Sequence, residues 1–287
     1  MPMPPSDVIP FRRRDARPEP PRLIGAGLEL LVAEGGRAGR PALLLLHGAS
    51  AAAWVWAEHL MPALGAAGWR CAALSFRGHG GSTGRSVLHG LGLLDYLLDA
   101  RSAIEALGGP VILVGHSLGG LVAQMMLGDP RVRGLILLAP VPPEGLAGAS
   151  LRLALTDPGL WREAARMPWA DAVATAPERL RRALFSDSLP EARATSLLGR
   201  FQSESLRAVA EAQFPRPVAS ARLVGVPALV VASTEDPLVP ADALVRTAWL
   251  HGADHVVIDT VRHAMMLDAG WPRVVETILR FLAARVP

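Results

Sequence analysis

The 287-residue sequence predicts an α/β fold with a mainly parallel central sheet, flanking helices and an inserted block of helices. Short apolar runs alternate with longer segments of helical periodicity between about residues 27 and 140, which is the pattern of βαβ units. Residues 146–213 contain no strand-like run. Strand-like runs return after residue 225, so the helical block interrupts a sheet that continues on both sides of it.

The predicted strands are short and strongly apolar. In chain order they are LELLV (28–32), ALLLLHG (42–48), RCAALSF (70–76), VILVG (111–115), GLILLA (134–139), VPALVVAS (226–233) and HVVID (255–259). Such runs are typical of strands that a parallel sheet buries on both faces. Helices are predicted at about 54–67, 90–107, 118–128 and 272–284. The block at 146–213 is interrupted by four prolines and predicts several short helices.

This organisation divides the chain into three regions. We expect a flexible N-terminal arm at residues 1–22, a core formed by residues 23–140 and 219–287, and a helical cap, or lid, at residues 141–218. The arm contains three adjacent arginines but no apolar stretch, so no export signal is predicted. The lone Cys71 cannot form an internal disulfide. A cytoplasmic location is therefore expected.

Composition excludes several classes of function. The 29 cationic residues are all arginine, and the absence of lysine rules out a Walker A loop and a Schiff-base lysine. The arginines are interspersed with Asp and Glu, so no nucleic-acid partner is expected. The apolar runs are far shorter than the roughly 20 residues of a membrane-spanning helix, so no stable membrane insertion is expected. No Cys/His spacing indicates a metal site, and no cofactor is predicted.

The pattern G-x-S-x-G occurs twice, as GGSTG (80–84) and GHSLG (115–119). A serine in this pattern becomes an exposed nucleophile when it ends a buried strand and begins a helix. Ser117 follows the strand run VILV and precedes the helical run LGGLVAQMML. Ser82 lies in the glycine-rich stretch RGHGGSTGRS, which is typical of a loop. We therefore predict Ser117 as a nucleophile and a loop role for Ser82.

A serine nucleophile needs a general base and an acid that orients the base. Of three C-terminal histidines, His251 ends a predicted helix and His255 opens a strand. His263 follows that strand on a loop at the carboxyl edge of the sheet, where sites of open parallel sheets form. Asp236 follows the strand run ALVV in the same way and is the predicted acid, with Glu235 as its nearest rival. Asp236 could instead cap the following helix.

An oxyanion intermediate needs two backbone N–H donors, and we expect them from Leu118, directly after the nucleophile, and from Ala49 in the loop HGAS. A set of large apolar residues is expected to line the acyl pocket, although each is also a candidate for the core. These residues are Trp54, Trp56, Trp161, Met167, Trp169, Met265 and Met266.

In their order and spacing, the motifs LLLLHGAS, SFRGHGGS, VGHSLGG, STEDPLVP and RHAMMLD resemble those of the α/β-hydrolase superfamily, in its lid-bearing esterase/lipase-like branch. The resemblance runs from about residue 27 to the C-terminus. It implies that residues 141–218 cover an acyl pocket and that RGHGGS is a structural loop beside the site. Ser75 departs from the pattern, because many relatives carry Asp there. A serine at 117 excludes haloalkane dehalogenase and epoxide hydrolase activity within the superfamily, because those enzymes carry an aspartate nucleophile at this position.

These residues and the resemblance together predict a cofactor-free serine hydrolase. Its expected substrates are carboxylic esters with small to medium apolar acyl groups, cleaved through an acyl-enzyme by Ser117, Asp236 and His263. The same triad is compatible with thioesters, lactones, amides, carbon–carbon bonds or perhydrolysis. A non-catalytic protein of this fold that binds a small molecule is a further alternative. The motifs specify neither the natural substrate nor the oligomeric state.

Overall fold

The computed structural model describes residues 20–35, 39–169 and 178–286. Most of the predicted N-terminal arm, residues 1–19, lies outside these ranges. The last residue of that predicted arm, Arg22, already belongs to the first strand. None of the helices in the described part of the chain has the length and apolar character needed to cross a membrane.

Within the described residues, eight strands form one sheet. They are Arg22–Ile24 (β1), Leu28–Ala33 (β2), Ala42–Leu46 (β3), Cys71–Leu74 (β4), Val111–His116 (β5), Val132–Leu138 (β6), Ala228–Ala232 (β7) and Asp254–Val257 (β8). Their spatial order is β1-β2-β4-β3-β5-β6-β7-β8. Strands β3 to β8 are parallel, and β1 and β2 form an antiparallel edge. The predicted fold class is thus confirmed, with β1 as an additional strand.

Helices flank this sheet and also fill the predicted helical block. They are Trp54–Ala57 (α1), Leu60–Ala66 (α2), Leu93–Leu107 (α3), Ser117–Met125 (α4), Ala147–Thr156 (α5), Pro158–Arg166 (α6), Glu178–Leu184 (α7), Glu191–Leu198 (α8), Leu206–Glu211 (α9), Ala221–Val224 (α10), Ala241–His251 (α11) and Trp271–Arg285 (α12). Short 3₁₀ turns span Arg85–Gly90 and Met167–Trp169. The helices α5 to α9, which lie between β6 and β7, are called the helical insertion below.

The sheet is buried on both faces, as its apolar strands predict. Along β3, Leu43 and Leu45 belong to one apolar cluster, whereas Leu44 and Leu46 belong to the other. This alternation follows from the two-residue period of a strand. Helices α2 and α12 cover the first face, and helices α3, α4 and α11 cover the second. Loops after the parallel strands are therefore anchored on a rigid scaffold.

The helix predicted at 54–67 is divided into α1 and α2 at His59. His59 has non-helical backbone angles, φ −140° and ψ −54°. Pro62 explains the break, because proline has no N–H and its ring clashes with the carbonyl four residues earlier in a continuous helix. Placing Pro62 in the first turn of α2 avoids both penalties.

Cys71 provides a direct test of this packing. Its thiol, at the start of β4, is fully buried, and burial raises the pKa of the thiol to about 12. We predict that iodoacetamide does not alkylate the native protein over hours at pH 8, because the reactive thiolate is neither formed nor accessible. In denaturant the same thiol should react within minutes, as measured by intact mass. Rapid alkylation of the native protein would contradict the buried position of β4.

Candidate active site

The candidate site lies at the carboxyl edge of the sheet, between strands β3 and β5. The chain leaves β3 toward β4 on one side and then returns to β5 on the other side. Crevices at such switch points are the usual ligand sites of open parallel sheets. Two of the predicted motifs follow these strands directly, because HGAS follows β3 and Ser117 follows β5.

Ser117 occupies a sharp turn between β5 and α4. Its φ of +49° lies in the left-handed region, which is unfavourable for a residue with a side chain. The glycines of the motif allow this turn to pack closely. A side-chain carbon at Gly115 would lie 2.6 Å from the carbonyl oxygen of Gly119, and one at Gly120 would lie 2.6 Å from Cβ of Pro140. Gly115 and Gly120 are therefore required by the close packing around this turn.

The structure brings Ser117, His263 and Asp236 together, although they are far apart in sequence. In the neutral ring, Nδ1–H of His263 donates to Oδ2 of Asp236 at 2.7 Å, and Nε2 lies 3.1 Å from Oγ of Ser117. His263 and Asp236 are 6% and 7% exposed. The hydroxyl is thus held against a ring nitrogen that can accept its proton, and the ring is held by a buried carboxylate.

Asp236 is fixed by its own turn. Its Oδ1 accepts the backbone N–H of Leu238 at 2.8 Å and of Val239 at 3.1 Å. Helix α11 starts later, with Pro240 as its N-terminal flanking residue, so Asp236 holds the preceding turn rather than capping the helix. The rival Glu235 is exposed and lies 3.5 Å from Arg262. Its carboxylate is not the one that contacts His263.

The other two C-terminal histidines lie elsewhere. His255 is exposed on β8. His251 is buried, and its Nε2 lies 3.0 Å from Oε1 of Gln124 while its Nδ1 accepts the N–H of Ala221. Burial lowers the pKa of His251 to about 4, so this ring is a neutral part of the core.

The loop after β3, residues 47–53, lies against Ser117. Because it contains the predicted donor Ala49, it is called the oxyanion loop below. A side-chain carbon at Gly48 would lie 3.0 Å from Cβ of Ser117 and 2.6 Å from Nδ1 of His116, so only glycine fits. Ala49 follows in the cavity wall. Leu118 is the second residue of α4, and N–H groups in a first helical turn have no partner within the helix. Ala49 thus lines the same cavity as Ser117, and Leu118 follows Ser117 in the first turn of α4.

Two neutral histidines that sequence reasoning did not assign hold the site's backbone. Burial, together with nearby His79, lowers the pKa of His47 to about 3. Its Nδ1–H donates to the carbonyl of Gly48 at 2.7 Å, and its Nε2 accepts the N–H of Phe76 at 3.1 Å. The oxyanion loop is thereby tied to the end of β4.

The second neutral histidine, His116, ties the turn at Ser117 to the loop that carries His263. Burial, with a further contribution from His263, lowers the pKa of His116 well below its ordinary value. Its Nε2–H donates to the carbonyl of His263 at 2.9 Å. Both histidines belong to predicted motifs, LLLLHGAS and GHSLG, and membership of these motifs is the sequence signal for their positions.

Ser82, in the other copy of the pattern, is part of a hydrogen-bond network below the site. Its Oγ donates to the carbonyl of Ser75 at 2.6 Å and accepts the N–H of Glu29 at 2.8 Å. Ser75 in turn donates to Oε2 of Glu29 at 2.6 Å and accepts the N–H of Ala53 at 3.0 Å. Ser75 thus links Glu29 on β2 to Ala53, at the end of the loop that follows β3.

A mainly apolar cavity of about 470 Å³ opens onto Ser117 and His263. Helices α5 and α6 form one part of its wall, and the stretch from Phe201 to Gln213 forms another. No Arg, Asp or Glu is among the described residues of the wall. Its polar groups include Oγ of Ser150, which donates to Oε1 of Gln213 at 2.8 Å.

Three of the predicted pocket residues, Trp161, Met167 and Met266, line this cavity. The other four do not. Trp56 and Met265 are fully buried in the core, and Trp54 packs edge-on against Phe201. Trp169 ends the helical turn after α6 and is 65% exposed, with its ring beside His89. Spacing along the chain did not reveal which side of each element faces the cavity.

The alpha/beta hydrolase family matches residues 43–277, and the chain belongs to this family. Over 97 residues the chain is 32% identical to epoxide hydrolase A of Mycobacterium tuberculosis, covering 33% of this chain and 30% of that protein. Over 87 residues it is 36% identical to protein phosphatase methylesterase 1 of Bos taurus, covering 29% of this chain and 23% of that protein. The chain thus matches less than a third of the length of these curated relatives.

Solved structures with the same fold include an esterase and a thioesterase. The esterase RhEst1 from Rhodococcus sp. aligns with a TM-score of 0.66 and 22% identity, over 94% of this chain and 99% of that chain. The thioesterase domain from the curacin biosynthetic pathway aligns with a TM-score of 0.64 and 23% identity, over 91% and 99%. At this identity the likeness shows the fold.

The packing of α4 on β3 can be tested at Gly119. A side-chain carbon there would lie 2.3 Å from the carbonyl oxygen of His47 and 2.4 Å from that of Leu46. Because backbone atoms cannot turn away as side chains do, Gly119→Ala should lower the free energy of unfolding by about 3 kcal/mol or more. Gly148→Ala in α5 is the matched control, since nothing lies within 4 Å of its added carbon. The control should keep or gain stability, by up to about 1 kcal/mol, in urea unfolding. Equal stability of both variants would contradict the packing.

Proposed function

We propose that this protein is a cofactor-free serine hydrolase that cleaves carboxylic esters of uncharged, apolar acyl groups through an acyl-enzyme. The observation that carries the proposal is the hydrogen-bonded series Ser117, His263 and Asp236 at the floor of the apolar cavity. Membership of the alpha/beta hydrolase family supports it. The helical insertion would serve as the cap over the acyl pocket, as predicted for residues 141–218.

The reaction begins with proton transfer from Oγ of Ser117 to Nε2 of His263 as the oxygen attacks the ester carbonyl carbon. The positive charge that develops on the imidazole is stabilised by the carboxylate of Asp236. The N–H groups of Ala49 and Leu118 donate to the oxyanion that forms on the carbonyl oxygen. Collapse of this intermediate releases the alcohol, which takes the proton from His263.

Deacylation repeats the same steps with water as the nucleophile. His263 accepts a proton from the water, the hydroxide attacks the acyl carbon, and the second oxyanion occupies the same pair of donors. Ser117 then leaves with the proton from the imidazole, and the carboxylic acid is released. Neither half of the reaction requires a redox or metal cofactor.

The preference for uncharged acyl groups follows from the cavity wall. A charged group entering an apolar cavity loses its hydration, and this loss is costly when no ion pair replaces it. The described wall offers no Arg, Asp or Glu. A volume of about 470 Å³ is within the range of small-molecule pockets and suits small to medium acyl chains.

The assignment of the nucleophile is tested by the two serine variants. We expect Ser117→Ala to lower kcat for p-nitrophenyl butyrate by roughly 10⁴-fold or more, because only binding and the oxyanion donors remain. Ser82→Ala should keep kcat and lose about 1–3 kcal/mol of unfolding free energy, because it removes one buried and one part-buried hydrogen bond. Hydrolysis that survives Ser117→Ala would overturn the proposal.

The acyl preference is tested with two esters of equal chain length, p-nitrophenyl butyrate and p-nitrophenyl hemisuccinate. The hemisuccinate places a carboxylate where butyrate has a methyl group, so we expect its kcat/KM to be at least about tenfold lower. Comparable values for both esters would contradict an uncharged acyl pocket. The corresponding thioester and lactone, measured in the same assay series, distinguish esterase activity from the other acyl chemistries.

A further inference from the structure

A buried carboxylate lies directly behind the oxyanion loop. Glu204, in the stretch before α9, is 1% exposed. Its Oε2 accepts the N–H of Ser50 at 2.9 Å, and its Oε1 accepts the hydroxyl of Tyr96 and the N–H of Ser205, both at 2.6 Å. Nε2 of His79 lies 3.2 Å from Oε2, in an ion pair that is off the hydrogen-bond axis. These four contacts of the carboxylate are all with donors or a cation.

Glu204 is ionised in this environment. Burial raises the pKa of its carboxyl group, but His79 and the hydrogen bonds from Tyr96 and Ser205 lower it more, to about 2. Burial lowers the pKa of His79, and the adjacent carboxylate raises it above its ordinary value. Hydrogen bonds to an ionised acceptor are stronger than those to a neutral one. The N–H of Ser50 is thus held by a charged partner.

Ser50 needs such a partner because its backbone is strained. Its φ of +60° lies in the left-handed region. Two further bonds reach this part of the loop from the same stretch of chain as Glu204. The N–H of Gln202 donates to the carbonyl of Ser50 at 2.9 Å, and its Nε2 donates to the carbonyl of Ala51 at 3.1 Å.

We propose that Glu204 is a positioning residue of the oxyanion site, which fixes the peptide that follows Ala49 and thereby keeps the N–H of Ala49 directed at the reacting carbonyl. This inference rests on the proposed serine-hydrolase function. Glu204 is not among the described residues that line the cavity, so it acts through Ser50 rather than on the substrate. Through this contact, the segment before α9 of the helical insertion supports the loop that would hold the oxyanion.

The test replaces Glu204 and measures steady-state hydrolysis of p-nitrophenyl butyrate. Glu204→Met fills similar space without an acceptor, and kcat should fall about 100-fold, the loss typical of a displaced reacting group. Glu204→Gln keeps one neutral acceptor, and kcat should fall about tenfold. KM should stay within about twofold in both variants, because the helices that form the apolar part of the cavity wall are unchanged.

A boronic acid distinguishes positioning from general loss of structure. Butylboronic acid forms a tetrahedral adduct with a nucleophilic serine, and its oxygen occupies the oxyanion site. Its inhibition constant should rise in each Glu204 variant in proportion to the fall in kcat/KM. Asp99→Asn is the matched control, because Asp99 is also a fully buried carboxylate and accepts the N–H of Arg77 at 2.8 Å. It should lower Tm while kcat and boronate inhibition stay as in the wild type.

The inference is overturned if a folded Glu204 variant keeps kcat within twofold of the wild type. It is also overturned if kcat falls while boronate inhibition is unchanged. If Glu204→Met does not fold, Glu204→Gln decides the matter alone. A wild-type protein without ester hydrolysis, or with hydrolysis that survives Ser117→Ala, would instead overturn the proposed function on which the inference rests.

Discussion

Helix α4 approaches the end of strand β3 so closely that no side chain fits between them, and the arrangement of the candidate site depends on this contact. At Gly119 an added carbon would lie 2.3 Å from the carbonyl oxygen of His47. This approach places the first turn of α4 and the loop after β3 on opposite sides of one small space. Ser117 lies at its edge with a left-handed backbone, and the strain is sustained by packing on both faces of the sheet.

The buried polar groups around this space include two neutral histidines and one charged carboxylate. His47 and His116 are neutral because burial lowers their pKa values, and each uses its ring to join two segments of backbone. Glu204 carries a charge, and its pairing with His79 offsets the loss of hydration. The site thus combines rigid neutral links with one buried ion pair behind the oxyanion loop. Such a preorganised frame is what stabilisation of an oxyanion requires.

Much of the fold could be predicted from the sequence, because it follows from two local patterns. Apolar runs specify strands buried on both faces, and G-x-S-x-G between strand and helix specifies the turn at Ser117. Strand β1, of three residues, has too little pattern to be predicted. Glu204 contacts Ser50 across 154 positions of sequence, and no local pattern indicates such a pairing. The sequence pattern also does not indicate which large side chains face the cavity. Trp56 is fully buried in the core and Trp169 is exposed, although both were expected to line the pocket.

The proposed function depends most on Ser117 being the nucleophile of a working triad. The direct measurement is peptide mass spectrometry after treatment of the native protein with a p-nitrophenyl alkylphosphonate, which transfers its phosphonyl group to an activated serine. We expect a stoichiometric adduct on Ser117, none on Ser82, and no adduct in His263→Ala, because Oγ needs a base to react. An adduct on another residue, or labelling of Ser117 that persists without His263, would contradict the proposed function.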